Sequence, residues 1–215
     1  MSSYDKYCQV EKTAKCCAAE HGFLQENIRV LPVTKNQSAQ TIQELYDCGL
    51  REFAENRITV LEEKSKILPQ DIKWHFIGKI QSNKVRKVLK ISQILHSVDS
   101  LDLLKRIDRI SAEEGVFPQL FIEVNISGEE SKSGVGKDDL AELLSVQLNH
   151  SEIVGLMTMA PLQSTEEEQV EIFSSLKKCA DEFGLKELSM GMSNDYRSAA
   201  ACGATIVRIG TVLFV

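Results

Sequence analysis

Eight short runs rich in β-branched and aromatic residues recur along this chain, and the intervals between them carry apolar residues at helical spacing. The runs fall at residues 29–34, 51–54, 72–77, 94–98, 119–127, 152–159, 187–190 and 205–209. In the intervals, Ile42, Leu45 and Tyr46 precede Gly49, placed as a C-terminal cap, and Leu140, Leu143, Leu144 and Leu148 form one stripe. Ser164 with Glu167 reads as a capping box ahead of Val170, Phe173, Leu176 and Ala180, and Gly184 closes that helix. Strict alternation of strand and helix argues for a parallel sheet. With an extra N-terminal helix and no linker, the 215 residues are expected to form one α/β domain, 1–215, folded as a (β/α)8 TIM-type barrel. Units of about 23 residues lie near the lower size limit of that fold. An open doubly wound sheet is the structural alternative.

Side-chain parity places the chemistry. In the fifth run Ile122, Val124 and Ile126 face the helices while Glu123, Asn125 and Ser127 face inward; in the eighth, Val207 and Ile209 point outward and Arg208 inward. Polar residues on the inner face near strand C-termini are where a barrel keeps its site. Pro32 resists, because a closed barrel has no free edge for it, and a bulge or irregular start is expected there.

Composition narrows the partners. At 43% hydrophobic and 26% charged, with 12 Gly and 4 Pro, the chain is neither disordered nor collagen-like. The 25 basic and 31 acidic residues give a net charge of −6, so no overall attraction for nucleic acid or an anionic membrane is expected. No apolar run reaches the roughly 18 residues of a membrane helix. Asp5, Lys6, Glu11, Lys12 and Lys15 stand where a signal peptide would be apolar, which predicts a cytoplasmic protein. The six cysteines form no C-x-x-C pair and have no histidines at metal spacing, so free thiols are expected, most of them packed as small apolar residues.

Lys35, in VTKNQ (33–37), shares parity with Leu31 and Val33 and should point into the barrel mouth. Lost solvation there penalises the charged amine and favours the neutral form that attacks an aldehyde; the plainer reading is a surface lysine opening a loop. SMGMSND (189–195) places Ser193 at the N-cap of the next helix, and RIGT (208–211) supplies Gly210 for close backbone approach and the Thr211 hydroxyl. The loops after strands seven and eight are the common phosphate site of such barrels. Arg208, facing inward, either pairs with a carboxylate such as Glu123 or sets its guanidinium against a ligand acceptor. FAEN (53–56), WHFIGKIQSNK (74–84) and ESKSG (130–134) add polar groups at other strand ends. Taken singly, Asn56 reads as a helix cap, His75 as a core histidine, Asn83 with Lys84 as a solvated face, and Met157 and Met159 as core residues.

Together VTK, FAEN, WHFIG.IQSNK, HSVD (96–99), VNIS..ESKSG (124–134), GLMT (155–158), LSMGMS (188–193) and VRIGT (207–211) resemble the pyridoxal phosphate homeostasis protein family over nearly the whole chain. The resemblance implies a single barrel similar to the N-terminal domain of bacterial alanine racemase, binding pyridoxal 5′-phosphate (PLP) as an internal aldimine. By resemblance Lys35 is the Schiff-base lysine, Ser193, Gly210 and Thr211 hold the phosphate, Arg208 faces the pyridine nitrogen, and Asn56 and Met157 contact the ring. The chain departs from the family at Pro32 and Thr34, where Ala and Ser are more usual, and at Lys79 in a usually neutral stretch. It ends at Val215, where members usually continue past RIGT.LF.

An arginine opposite the ring nitrogen donates a hydrogen bond and leaves it unprotonated, which weakens the electron sink that amino-acid chemistry draws on. A racemase compensates with a base on each face, and here only Tyr196 offers itself as the second; its plainer reading is a helix residue packed on the barrel. The resemblance therefore implies a non-enzymatic carrier or buffer of PLP that contributes to vitamin B6 and amino-acid homeostasis, monomeric, with PLP-dependent apoenzymes as candidate acceptors. A PLP-dependent amino-acid racemase of low activity is the alternative. A barrel enzyme acting on another phosphorylated metabolite without a cofactor is the third.

Overall fold

Each strand is three to seven residues long and is followed by a helix whose apolar stripe covers it from outside. The computed structural model describes residues 1–126 and 133–215. Helix α1 (Ser3–Glu20) leads into β1 (Arg29–Pro32), α2 (Ala39–Asp47), β2 (Glu52–Glu55), α3 (Ile58–Ile67), β3 (Lys73–Phe76), α4 (Val85–Leu89) and β4 (Ser92–Val98). The second half runs α5 (Leu101–Glu114), β5 (Gln119–Glu123), α6 (Lys137–Leu144), β6 (Glu152–Met157), α7 (Glu166–Glu182), β7 (Glu187–Ser189), α8 (Tyr196–Ala201), β8 (Ile206–Ile209) and α9 (Thr211–Phe214). All pairings are parallel, in the order β1-β8-β7-β6-β5-β4-β3-β2. The ring closes between β1 and β2 through a single bridge, Val33 to Ala54. This is the (β/α)8 TIM-type barrel with an N-terminal helix that the alternation predicts.

Two apolar layers result from the alternating side chains. Leu31, Val33, Ala54, Ile94, Phe121, Met157 and Ile206 fill the barrel, whereas Phe53, Trp74, Leu120, Ile122, Val124, Val207 and Ile209 pack outward against the helices. The parity read from strands five and eight is thus realised. Fully burying a side chain such as Phe53 or Ile122 (each 0% exposed) is worth about 1.5–3 kcal/mol, so the helix layer is held chiefly by the outward set. Ser127 and most of ESKSG lie outside the described residues.

Four local expectations change. Pro32 sits in regular register opposite Ile209 with no bulge. Val33 donates its N–H to Ile209 of β8, Arg29 to Thr205 just before that strand, and Thr34 to Ala54 of β2, so the nitrogen of Pro32 faces the lightly paired side, where a missing donor leaves no ladder bond unmade. The cap of α7 lies one residue later than expected: Thr165 and Glu168 form the box, while Ser164 donates its hydroxyl to the Pro161 carbonyl. None of the cysteines forms a disulfide; Cys8, Cys16 and Cys48 are exposed and Cys17 is half-buried, and only Cys179 and Cys202 are buried, because the helix surfaces carrying the others face solvent. Met159, expected in the core, is 45% exposed, since β6 ends at Met157 and the chain turns outward. No helix among the described residues is long and apolar enough to cross a membrane.

Candidate functional site

A cleft of about 310 Å³ opens at the C-terminal ends of the strands, and it is lined by Lys35, Asn56, Met157, Ser193, Arg208, Gly210 and Thr211 together. All seven residues singled out from the sequence therefore face one cavity. Lys35 follows β1 and precedes Asn36, which holds φ 65° and accepts a hydrogen bond from Arg57. Lys35 is exposed, so the desolvation expected from its parity is absent: β1 ends three residues earlier and the side chain stands at the rim. Asn56 caps no helix, the N-cap of α3 being Arg57. Its Oδ1 is buried without a hydrogen-bond partner, an acceptor open to a donor from the cleft.

The segments bearing Lys35 and Asn56 are fastened from beneath by a residue the sequence did not advertise. Lys64 of α3 donates to the Thr34 carbonyl at 2.8 Å and to Glu55 Oε2 at 2.7 Å, while Glu55 Oε1 accepts the Asn56 N–H at 2.9 Å. Both partners are buried. Thr34 adds a hydroxyl bond to the Ala54 carbonyl at 3.1 Å. Gly78 closes the same wall: a Cβ there would lie 2.0 Å from the Asn56 carbonyl oxygen, so only glycine lets the two backbones meet.

Arg208 forms the floor. It is 4% exposed; NH1 donates to the Ser189 carbonyl and hydroxyl, both at 2.7 Å, and NH2 to the Thr158 carbonyl at 3.0 Å. The salt-bridge alternative is not met, since no carboxylate lies within 4.0 Å of it among the described residues, while the guanidinium lines the cleft. Burial pulls its pKa down to about 10, opposed by the more distant charges of Asp195 and Glu123, so it remains a cation at neutral pH. Glu123 is buried nearby, its pKa raised by burial and by the charge of Asp99. Below the floor the barrel holds His75 and His96, both buried; His75 is thus a core residue, although its Nε2 has no hydrogen-bond partner.

On the opposite wall Ser193 is not the N-cap of α8; that position is Asp195, whose Oδ1 accepts the Met192 N–H at 2.5 Å. The Ser193 hydroxyl instead accepts the Val212 N–H at 3.4 Å, joining the loop after β7 to the first turn of α9. Gly191 holds φ 91°, and a Cβ there would lie 2.5 Å from that of Ala199, which keeps this loop low against the barrel. Asp195, which the sequence did not single out, takes the N-cap position but turns its carboxylate back on the preceding loop and makes no side-chain bond to α8. Met159, Pro161 and Leu162 form an apolar lip; no periodicity marks a loop as a lip. Tyr196 is buried in the helix layer and lines a separate groove against α1 with Val10 and Thr13, so its packing reading holds. Asn83 is exposed on a solvated face, as expected.

A barrel with an amine at its rim, a buried arginine at its floor and a loop joined to a helical turn opposite defines a class, and residues 20–215 match the family model of the alanine racemase N-terminal domain. An alanine racemase of Clostridium difficile superposes with a TM-score of 0.71 over 98% of this chain and 55% of its own, at 16% identity, which shows the shared fold. A pyridoxal phosphate homeostasis protein of Synechocystis sp. is 40% identical over 201 residues, 89% of this chain and 92% of that protein. PipY of Synechococcus elongatus, solved with PLP bound, gives a TM-score of 0.81 at 37% identity, covering 94% of this chain and 100% of PipY. The chain belongs to the pyridoxal phosphate homeostasis protein family.

Proposed function

We propose that this chain, working as one barrel domain over residues 1–215, binds PLP and carries or buffers it, contributing to vitamin B6 and amino-acid homeostasis in the cytoplasm. The observation that carries the reading is the convergence of Lys35, Asn56, Met157, Ser193, Arg208, Gly210 and Thr211 on one cleft, in a chain whose relative PipY is known with PLP bound. The donor set fits that group. An amine at the rim can hold an aldehyde as a Schiff base; the Ser193 hydroxyl and the Gly210–Thr211 loop face a phosphate; the partnerless Asn56 Oδ1 awaits a ring substituent. Of the five N–H groups of a guanidinium, the three bonds of Arg208 leave donors for a ring nitrogen.

When bound, PLP supplies a reactive carbonyl and an electron-withdrawing ring. The protein's own residues temper both. Lys35 would hold the carbonyl, and Arg208, which only donates, would favour an unprotonated ring nitrogen. Curated relatives are named as homeostasis proteins and not as enzymes, and Tyr196 packs away from the cleft, so the racemase alternative gains no second base from it. We take the protein to act as a monomer that delivers to PLP-dependent apoenzymes.

The test is an absorbance spectrum of PLP-loaded protein beside Lys35→Ala, followed by borohydride and peptide mapping. A yellow wild type with label fixed on Lys35, and a variant lacking both, is expected. A colourless wild type, or label elsewhere, overturns the reading. Turnover of amino acids at enzymatic rates, about 1–10³ per second, would replace carrier by racemase.

A further inference from the structure

The buried histidines form a file that runs from the cleft floor towards the other end of the barrel. Ser189 Oγ lies 2.7 Å from His96 Nδ1, His96 Nε2 lies 2.9 Å from His75 Nδ1, and His75 Nε2 lies 3.5 Å from Glu52 Oε2. His75, His96 and Ser189 are buried, whereas the Glu52 side chain is 31% exposed, so the file begins in the dark and ends in solvent. His96 is stacked on Phe121, ring centroids 4.5 Å apart, which fixes its plane.

Donor chemistry orders the protons along it. Arginine only donates, and NH1 of Arg208 donates to Ser189 Oγ. The serine's own proton is therefore free to pass to His96 Nδ1, which must present a lone pair. His96 then carries its proton on Nε2 and donates to His75 Nδ1, which leaves the His75 proton on Nε2; that nitrogen makes no hydrogen bond and faces the Glu52 carboxylate across 3.5 Å, an ion-pair distance. The reverse order sets two acceptors, His75 Nε2 and Glu52 Oε2, against each other and gives the Ser189 proton no acceptor.

We propose that Ser189, His96 and His75 are positioning residues for Arg208, a one-way hydrogen-bond relay that ends on His75, where the Glu52 carboxylate 3.5 Å from Nε2 favours this order by its charge, behind a guanidinium that has no carboxylate within ion-pair distance among the described residues. Each link polarises the next, so the Ser189 oxygen accepts more strongly than an isolated hydroxyl and holds Arg208 aimed into the cleft. Burial keeps both imidazoles neutral, each pKa lying below the usual value, with the cations of Arg208, Arg29 and Lys73 pushing the same way and Glu52 opposing. A protonated ring would need a second acceptor and would break the order.

The consequence for ligand rests on the PLP reading, and the test separates the two. Nitrogen-15 NMR of histidine-labelled, ligand-free protein is expected to show both rings as the Nε2–H tautomer, without titration across roughly pH 6–8, where free imidazole changes charge. In PLP-loaded protein, Glu52→Gln, which removes only the charge at the far end, is expected to shift the absorption of the lysine-bound chromophore and weaken PLP binding severalfold; Ser189→Ala is expected to weaken it about tenfold. An Nδ1–H tautomer on either ring, or a Glu52→Gln variant with wild-type spectrum and affinity, overturns the relay. Should wild type fail to bind PLP, the PLP reading falls, and the tautomers alone then decide the relay.

Discussion

The ammonium of Lys64 is held by a carbonyl and a carboxylate, Thr34 O and Glu55 Oε2, with almost no access to water. Such a pair adds little when compared with apolar packing, but breaking it strands a charge. Lys64→Met is expected to cost about 3–5 kcal/mol in urea unfolding, and adding Glu55→Gln should return much of that loss by removing the stranded carboxylate. A single-variant loss under 1 kcal/mol would show that water reaches the pair. In sequence Lys64 is one lysine among Glu62, Glu63 and Lys66 on a helix, so nothing local distinguishes it. Lys35, Ser193 and Arg208 were legible because strand parity and the position of the loops are local properties. That Lys35 would stand exposed, and that Asp195 would take the cap, depended on where β1 and α8 stop. Those stops are set by tertiary contacts.

At the scale of elements, all eight strands and their order of appearance could be read from the alternation, with ends displaced by one or two residues except in the fifth, which stops at Glu123, four residues before the expected end. Caps are more exacting, because one residue's shift exchanges the roles of neighbours. Thr165 accepts the Glu168 N–H and Glu168 returns a bond to the Thr165 N–H, whereas Ser164 only braces the Pro161 turn. Thr165→Ala should therefore cost about 1 kcal/mol, a fall of roughly 2–4 °C in Tm for a chain of this size, and Ser164→Ala visibly less. Equal losses in thermal melts would contradict the placement of the box. Closure of the barrel was expected from the alternation, but not how lightly it is made. The β1–β2 pairing is a meeting of two distant segments through one bridge, and no run of residues encodes how many bonds it makes.

For the molecule as a whole, the file of neutral histidines sets a response to acid. Both His75 and His96 have pKa values lowered from 6.5 by burial, so between those values and 6.5 the unfolded chain binds protons that the folded one refuses. Stability then rises with pH, and conversely is lost as pH falls below about 6.5. Glu123 and Asp195, raised by burial, act in the opposite sense, losing stability as pH rises above their ordinary carboxylate values. Glu52, lowered chiefly by its contact with His75, adds to the acid loss at lower pH. Comparing unfolding free energies at pH 7.5 and about 5.5 isolates the imidazoles: wild type should lose more than His96→Phe over that interval. Identical slopes would mean the rings titrate freely in the folded state.

The lightly paired side between β1 and β2 has a mechanical meaning. Six interfaces of the sheet pair at three or more positions, β7–β8 pairs at Ser189 and Ile206, and β1–β2 is an isolated bridge pinned by Val33, Ala54 and the side chain of Lys64, so the barrel is a split ring whose gap lies between the strands that carry Lys35 and Asn56. Slackening that gap would spread the two walls of the cleft while every ladder stays intact, giving cargo a way in and out that leaves the fold undisturbed.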